Sequence, residues 1–224
     1  MSDSLPLPRL HPTRAAGVAA VAALLFAALA TDLVRHGPIT RTDAPISAWF
    51  AAHAEPWLTQ LMLAASALHA TVPILVYAAG LAAVLVLRSQ PHWVAVLLAA
   101  VPGGLLLNAL VKLGFHRARP TFDHPLVSLS TFSFPSGHAV GATVWWGFLL
   151  VLWLAHEPGS GQRLVACVLA AAMVLLVMFS RIYLGAHYPS DVLAGLCEGT
   201  LWLLLCFAVA AALDRRRRVR GGGA

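Results

Sequence analysis

Six long stretches of this 224-residue chain carry almost no charged side chains, and they constrain its fold more than any other feature. Charged residues make up 11% of the sequence and hydrophobic residues 59%, whereas a soluble domain has about 25% charged residues. Fifteen basic and nine acidic side chains cannot cover the surface of a globular protein of this length. The composition therefore excludes a soluble enzyme, a disordered protein and a disulfide scaffold, and it predicts an integral membrane protein.

Each of these stretches is long enough to cross a bilayer as a helix, which takes about 17–25 predominantly apolar residues. None alternates apolar and polar residues as the strands of a membrane barrel do, and a helix satisfies its own backbone in lipid. We therefore predict an all-α fold, a polytopic membrane bundle of six transmembrane helices in a single domain over residues 1–224. The predicted spans are Ala15–Val34, Ala70–Leu87, Trp93–Val111, Ala139–Ala155, Leu164–Ser180 and Val192–Leu213.

The basic residues between the spans predict the orientation, because cytoplasmic loops carry the excess of Lys and Arg. Nine basic residues fall on the side that holds both termini, and six fall on the opposite side. We therefore expect residues 1–14 and the basic tail 214–224 in the cytoplasm, with residues 35–69, 113–138 and 181–191 outside. The tail is interpreted as a topology anchor that touches anionic lipid, and not as a nucleic-acid site.

Two interpretations stay open in the first third of the chain. Arg9 and Arg14, the apolar stretch after them and Ala28-Leu29-Ala30 are also typical of a signal peptide with its cleavage site. Cleavage there would not change the sidedness of the later spans. The outer loop 35–69 holds large apolar residues among polar ones, which indicates either an interfacial helix on the membrane or a loop followed by an extended second span.

Polar residues are concentrated in three short clusters, each at the outer end of a predicted span. Because all three clusters lie at span ends on the same side, they can meet at one interface. We therefore expect the functional site within residues 113–138 and 181–191 and at the span ends beside them. The three clusters are K-x6-R-P at Lys112–Pro120, P-S-G-H at Pro135–His138 and S-R-x5-H-x3-D at Ser180–Asp191.

The cations of these clusters suit a phosphate group. Lys112, Arg119 and Arg181 would repel one another unless they share an anion. Arginine offers planar forks that match phosphate, and lysine offers a compact point charge. Ser136 and Gly137 open the fourth predicted span, where free backbone N–H groups favour an anion and a glycine permits close approach. Together these five residues predict a phosphate cradle.

Two histidines add reactive groups to the cradle. His187 and Asp191 are four residues apart at the start of the last span, so the carboxylate can accept from one ring nitrogen and raise the nucleophilicity of the other. His138 has no carboxylate beside it in the sequence and is free to protonate a leaving oxygen. The residues therefore predict a phosphoryl-transfer site that needs no metal and no cofactor.

In these three motifs the sequence resembles the type 2 phosphatidic acid phosphatase family. That family comprises integral-membrane lipid phosphate phosphatases with a site related to that of the soluble vanadium haloperoxidases. All three motifs occur in order and without a mismatch, and the similarity covers most of the chain from the second span onward. The resemblance implies that His187 attacks phosphorus to form a phosphohistidine, with Asp191 orienting it. It also implies that His138 first protonates the leaving oxygen and then activates water.

The resemblance further implies hydrolysis of a lipid phosphate or diphosphate at the outer face of a bacterial inner membrane. Candidate substrates are undecaprenyl diphosphate, phosphatidylglycerol phosphate, phosphatidic acid, diacylglycerol diphosphate and lipid A phosphates. Undecaprenyl diphosphate or a glycerophospholipid phosphate is favoured. Two alternatives remain: a lipid phosphotransferase that passes the phosphoryl group to another acceptor, and a non-catalytic transporter of phosphate or lipid. The expected partners are the lipid substrate and the bilayer, with no nucleic acid, and the oligomeric state is left open.

Two further polar residues have competing interpretations. Arg117 can help to hold a second phosphate, or it can contact lipid headgroups in a solvated position, and we favour the second. Glu198 follows Asp191 by seven residues on roughly the same helix face. A carboxylate inside a span is either functional or one partner of a structural hydrogen bond between helices, and the sequence favours neither.

Overall fold

Eight α-helices and no strand make up the described part of the chain in a computed structural model. The structure describes residues 5–7, 11–122, 126–127 and 129–221, with side chains up to residue 216. The predicted all-α class is confirmed. The helices are α1 Pro12–Val34, α2 Pro38–Ala52, α3 Pro56–Leu68, α4 Thr71–Leu87, α5 Pro91–Phe115, α6 Gly137–Leu154, α7 Ser160–Tyr183 and α8 Pro189–Gly221.

Five of these helices, α1 and α5 to α8, are long and apolar enough to cross a membrane. Helices α3 and α4 pass the same test as a pair bent by 48°, and counting the pair as one span gives the six that the sequence predicts. The bend follows from the chemistry of the junction. The N–H groups of His69 and Ala70 turn to the carbonyls three residues back, which tightens and ends α3. Pro73 then lies in the first turn of α4, where its missing N–H has no cost.

The segment 35–69, expected as an outer loop, is mostly helical. Its first helix, α2, begins with Pro38, and the carboxylate of Asp32, near the end of α1, accepts backbone N–H groups of its first turn. The Asp32 carboxylate accepts the backbone N–H of Thr40 at 2.7 Å, which folds α2 back beside α1. The residues that α2 buries, Asp43 and Ser47, are polar. The contacts of Asp43 and the packing of Phe50 against Phe179 and Tyr183 hold α2 on the bundle, and its placement on a membrane surface stays a prediction.

Helix α6 lies at the centre of the bundle and packs against α4, α5, α7 and α8. Small residues let α8 approach it closely, as is common for helices packed in lipid. A Cβ at Gly195 would lie 2.6 Å from the carbonyl oxygen of Ser136, and one at Gly199 would lie 2.8 Å from the Thr143 side chain. This close approach sets the start of α8 directly against the start of α6.

Both ends of the described chain lie at the same end of the bundle. The backbone of Leu5 bonds to Gln90 and to the ring of His92 at the start of α5. Leu5, Leu213 and Asp214 line one cavity of about 520 Å³ there. This arrangement agrees with an even number of crossings. Four of the nine basic residues counted on this side lie outside the described part of the chain: Arg9, and the side chains of Arg217, Arg218 and Arg220.

Candidate active site

The three sequence motifs meet at the opposite end of the bundle, which we call the site end. Lys112 lies in the last turn of α5, and Arg181 lies in the last turn of α7. Ser136 is the residue before α6 and Asp191 lies in the first turn of α8. The N–H of Ser136 donates to the carbonyl oxygen of Asp191 at 2.9 Å. That bond joins the second and third motifs directly.

His187 is fully buried in the connection between α7 and α8. Its Nδ1 lies 3.4 Å from Oδ2 of Asp191, and its Nε2 lies 3.1 Å from Nη1 of Arg119. Burial lowers the pKa of the His187 ring to about 3, because desolvation disfavours the charged form, while Asp191 acts in the opposite direction. The ring is therefore neutral near pH 7, with one nitrogen facing a carboxylate and the other facing a cation.

Asp191 is held by several donors at once. Its Oδ2 accepts the backbone N–H of Tyr188 at 2.9 Å and the hydroxyl of Ser133. The Tyr188 contact is one half of a capping box at the start of α8, and Pro189 suits the first helical position. The local sequence Tyr-Pro-Ser-Asp thus starts the helix and fixes the carboxylate with the same contacts.

The three cations of the motifs are held by carbonyl and hydroxyl oxygens. Lys112 Nζ donates to the carbonyl of Phe132 at 2.7 Å. Arg119 Nη1 donates to the carbonyl of Ala186 at 2.7 Å, and Arg181 donates to the hydroxyl of Ser66. None of the three pairs with a carboxylate within the described residues.

The positive charge of these cations is therefore not neutralised by direct contact. Arg119 and Arg181 lie close enough to Lys112 to oppose its charge. Burial lowers the pKa of the Arg119 guanidinium, and Asp191 acts against that effect. Arg181 is buried, and Lys112 and Arg119 are partly buried. Cations that repel one another and are only partly screened by water form a strong site for an anion.

Two buried donors point to the same conclusion. The hydroxyl of Ser136 and Nε of Arg181 have no hydrogen-bond partner within the described residues, although buried polar groups normally have one. Ser136 and Gly137 stand at the N-terminus of α6, where the helix favours an anion. The donors suit an oxyanion. In the part of the chain that the structure describes, no three His, Cys, Asp or Glu side chains are grouped as metal ligands.

His138 occupies the first turn of α6. Its ring is hydrogen-bonded to the backbone of Ser66 on α3, and it lies close enough to Arg181 and His187 for electrostatic interaction. Ser66 therefore contacts both a motif cation and the second histidine. Ser66 could not be predicted from the sequence, since a neutral serine in an apolar helix carries no signal of its own.

Arg117 lies between two carboxylates, a position that neither interpretation of the sequence included. Its side chain is only 8% exposed, and it forms ion pairs with Asp43 at 2.7 Å and with Asp191 at 2.5 Å. Its guanidinium carbon also lies 4.2 Å from the centre of the Tyr188 ring. Two carboxylates occupy the guanidinium, which differs from a solvated position at the headgroups, and a role toward a second phosphate stays a prediction. Asp43 was not predicted either. The only indication in the sequence was that acidic residues are scarce, with nine in the chain, so that each one is a candidate for a specific role.

Glu198 makes an interhelical hydrogen bond. Its Oε2 accepts Nδ2 of Asn108 on α5 at 2.9 Å, and its Oε1 is buried without a partner in the described residues. The same Asn108 amide lies 3.4 Å from the carbonyl of Pro135, so the pair reaches the backbone of the first residue of the P-S-G-H motif. This is the structural alternative of the two interpretations, and a functional role stays a prediction.

Replacing Glu198 with alanine is expected to destabilise the protein by about 1–3 kcal/mol, because the buried amide of Asn108 loses its acceptor. Glu198→Gln keeps the shape and one carbonyl acceptor and should retain most of the stability. Thermal unfolding of the purified protein in detergent measures both variants. Unchanged unfolding of Glu198→Ala would contradict the structural role, and a stable but inactive Glu198→Gln would support a functional one.

Comparison with known proteins agrees with this geometry. The sequence model of the PAP2 superfamily matches residues 92–215, which contain all three motifs. Phosphatidylglycerophosphatase B of Bacillus subtilis (strain 168) is 31% identical over 206 residues, covering 89% of this chain and 97% of that protein. Undecaprenyl-diphosphatase BcrC of the same organism is 35% identical over 115 residues, covering 49% of this chain and 53% of that protein.

A solved structure is similar over nearly the whole chain. The crystal structure of the first transmembrane PAP2 type phosphatidylglycerolphosphate phosphatase from Bacillus subtilis superposes with a TM-score of 0.76 at 30% sequence identity. The match covers 88% of this chain and 96% of that chain. The likeness therefore extends to the helices before the first motif.

Proposed function

Since the chain belongs to the PAP2 superfamily and is a membrane lipid phosphatase, we propose that it works through a metal-independent phosphohistidine mechanism at the outer face of the membrane. The observation that carries the proposal is Nε2 of His187 facing Arg119 at 3.1 Å, with Lys112 also close enough for electrostatic interaction with the ring. A neutral imidazole beside an anion site can attack phosphorus. Arg119 and its neighbouring cations stabilise the charge that develops on the phosphoryl oxygens.

In the first step, Nε2 of His187 attacks the phosphorus atom of the lipid phosphate. The N–P bond forms as the P–O bond to the lipid breaks, and the leaving oxygen receives a proton from His138. Asp191 lies at Nδ1 of His187 and stabilises the positive charge that the ring acquires. Lipid leaves, and the phosphoryl group stays on the ring.

In the second step, His138 takes a proton from a water molecule, which then attacks the phosphorus atom. The N–P bond breaks, inorganic phosphate leaves, and the His187 ring returns to its neutral form. Lys112, Arg119 and Arg181 hold the equatorial oxygens in both steps, and Ser136 and Gly137 add donors at the start of α6. After the second step His138 is protonated again and His187 is neutral, as both were before the first step.

For the substrate, similarity over the whole chain favours a glycerophospholipid phosphate. The relative that matches 97% of its own length is named for phosphatidylglycerophosphate, so we propose phosphatidylglycerol phosphate first. Undecaprenyl diphosphate is the second candidate, because a relative named for it is similar over 115 residues. The site cradles phosphate and not the lipid tail, so both fit the same mechanism.

The proposal is tested by a panel of lipid phosphates and diphosphates with the purified protein in detergent. We expect release of inorganic phosphate, with the largest kcat/KM for phosphatidylglycerol phosphate. Transfer of the phosphoryl group to an added acceptor in place of water would favour the phosphotransferase alternative. Binding of lipid phosphate without release from any substrate would favour the transporter.

Metal chelation is expected to leave the reaction unaffected. With EDTA in excess the rate should stay within about twofold of the untreated rate, since the cations of the site are side chains that can stabilise the transferred group. Vanadate should inhibit, because it adopts the five-coordinate geometry of phosphoryl transfer. The measurement is phosphate release with each additive. Loss of activity in EDTA that magnesium restores would show the mechanism to be wrong.

A further inference from the structure

One buried carboxylate close to the site is not part of any sequence motif. Asp43 lies on α2 and is only 1% exposed. Its Oδ1 accepts the backbone N–H of Ser190 at 3.1 Å. Its Oδ2 accepts Nη2 of Arg117 at 2.7 Å and the hydroxyl of Ser190. Both oxygens are therefore used, and they join α2 to the first motif and to the start of α8.

Arg117 continues this chain of contacts toward the nucleophile. Its Nη1 donates to the hydroxyl of Ser190 at 2.7 Å and to Oδ1 of Asp191 at 2.5 Å. The other oxygen of Asp191 faces Nδ1 of His187. Two ion pairs thus connect Asp43 to Asp191, and the contact of Asp191 with His187 completes the path to the residue that attacks phosphorus.

The charges explain why Arg117 needs a second carboxylate. A guanidinium that pairs with only one buried carboxylate has N–H donors on its other edge without acceptors. A buried charge is costly unless those remaining donors are bonded. Asp43 takes up that second side and fixes the plane of the Arg117 fork. Because a fork grips both partners in one plane, fixing it also fixes the direction from which Asp191 is held.

We propose that Asp43 is a positioning residue for the proposed phosphatase reaction: it orients Arg117, which holds Asp191 in the direction that aligns His187. The inference rests on the proposed function. Asp43 does not reach the cations that cradle phosphate, so its effect is on the alignment of the nucleophile and not on the binding of substrate.

The test compares two Asp-to-Asn changes that both affect α2. Asp43→Asn keeps the side-chain shape but removes the charge that holds Arg117. Asp32→Asn removes a carboxylate that caps the first turn of α2 and makes no contact with Arg117 in the described contacts. A role that is only structural, as an anchor for α2, would make the two variants behave alike.

For Asp43→Asn we expect kcat on the lipid substrate to fall by about 10–100-fold, the scale known for residues that orient the ligands of metal sites, with KM nearly unchanged. For Asp32→Asn we expect kcat close to that of the wild type. Equal effects of the two variants on kcat, or a wild-type kcat in Asp43→Asn, would overturn the inference. A rise in KM without a fall in kcat would overturn it as well.

A double variant gives a second, independent measurement. If Asp43 acts only through Arg117, then Asp43→Asn combined with Arg117→Ala should be no slower than Arg117→Ala alone. Full additivity of the two losses would contradict the inference. If Asp43→Asn does not fold, Asp43→Glu serves in its place, with a reduced kcat and an unchanged KM as the expected result. A wild-type protein that releases no phosphate would refute the proposed function, whereas an active wild type with unaffected variants would refute only the role of Asp43.

Discussion

Replacing His187 with alanine is expected to lower kcat on every lipid phosphate by about 10⁴-fold or more, the scale seen when a nucleophile is removed. The ring is buried beside Arg119 and Asp191, and burial keeps its pKa at about 3. It therefore stays neutral and nucleophilic throughout the pH range of an assay at pH 5–8. A neighbouring water has neither this position nor this nucleophilicity.

Two measurements check this expectation. Phosphate release gives kcat, and an acid-labile phosphoryl label on the protein should form in the wild type and be absent from His187→Ala. His156→Ala is the matched control, because His156 is exposed at the end of α6 and its ring bonds to a carbonyl of its own helix. Near-normal turnover by His187→Ala, or a label that persists in it, would show that another residue is the nucleophile.

Replacing His138 with alanine is the second large effect, with lipid turnover expected to fall by about 10²–10⁴-fold, the usual contribution of a general acid or base. The lipid alkoxide is a poor leaving group without a proton, and water is a poor nucleophile without a base. With p-nitrophenyl phosphate the first step needs no acid, so phosphoenzyme should still form. The second step should then stall, and the label should accumulate.

The measurement is a rapid-mixing assay that follows nitrophenolate and the phosphoryl label together. His138→Ala should give a burst of about one nitrophenolate per protein, as expected when the covalent intermediate accumulates, followed by a slow steady rate. His53→Ala is the control, because His53 is exposed at the end of α2 and its ring bonds to the Trp49 carbonyl of its own helix. Absence of both burst and label would show that the attack needs His138 even with a good leaving group, and it would contradict the role of His138 as proton donor to the leaving oxygen.

Much of the fold was predictable because its signals are local. A span needs only an uninterrupted apolar stretch of sufficient length, and the all-α class and the family follow from such stretches and from three motifs of fixed spacing. The bent pair α3 and α4 was harder to predict, because α4 alone is short and its extension is the segment expected as a loop. Asp32 and Asp43 hold the first of the two helices in that segment, α2, against the bundle, and α3 packs against α7.

The candidate site was predictable to a smaller extent. The residues that the motifs contain, such as Lys112 and His187, lie together at the site end, as their positions at the span ends suggested. Their supporting contacts were not predictable. Asp43 and Arg117 are 74 residues apart, and Ser66 and Arg181 are 115 residues apart. No spacing rule in the sequence connects such pairs.

By itself the sequence determined that this protein lies in a membrane as a helical bundle and that it carries the residues of a phosphoryl-transfer site. The scarcity of charged residues and the spacing of the motifs are local properties of the sequence, and they do not depend on how the helices pack. Only the tertiary structure decided which groups hold the reactive ones. It assigned Arg117 to two carboxylates, tied Glu198 to Asn108, and left the Ser136 hydroxyl and Arg181 Nε without partners in the described residues. The physical reason is that a buried polar group bonds to whichever partner the packing of helices brings within about 3 Å, and the spacing of residues along the sequence does not show which partners these are.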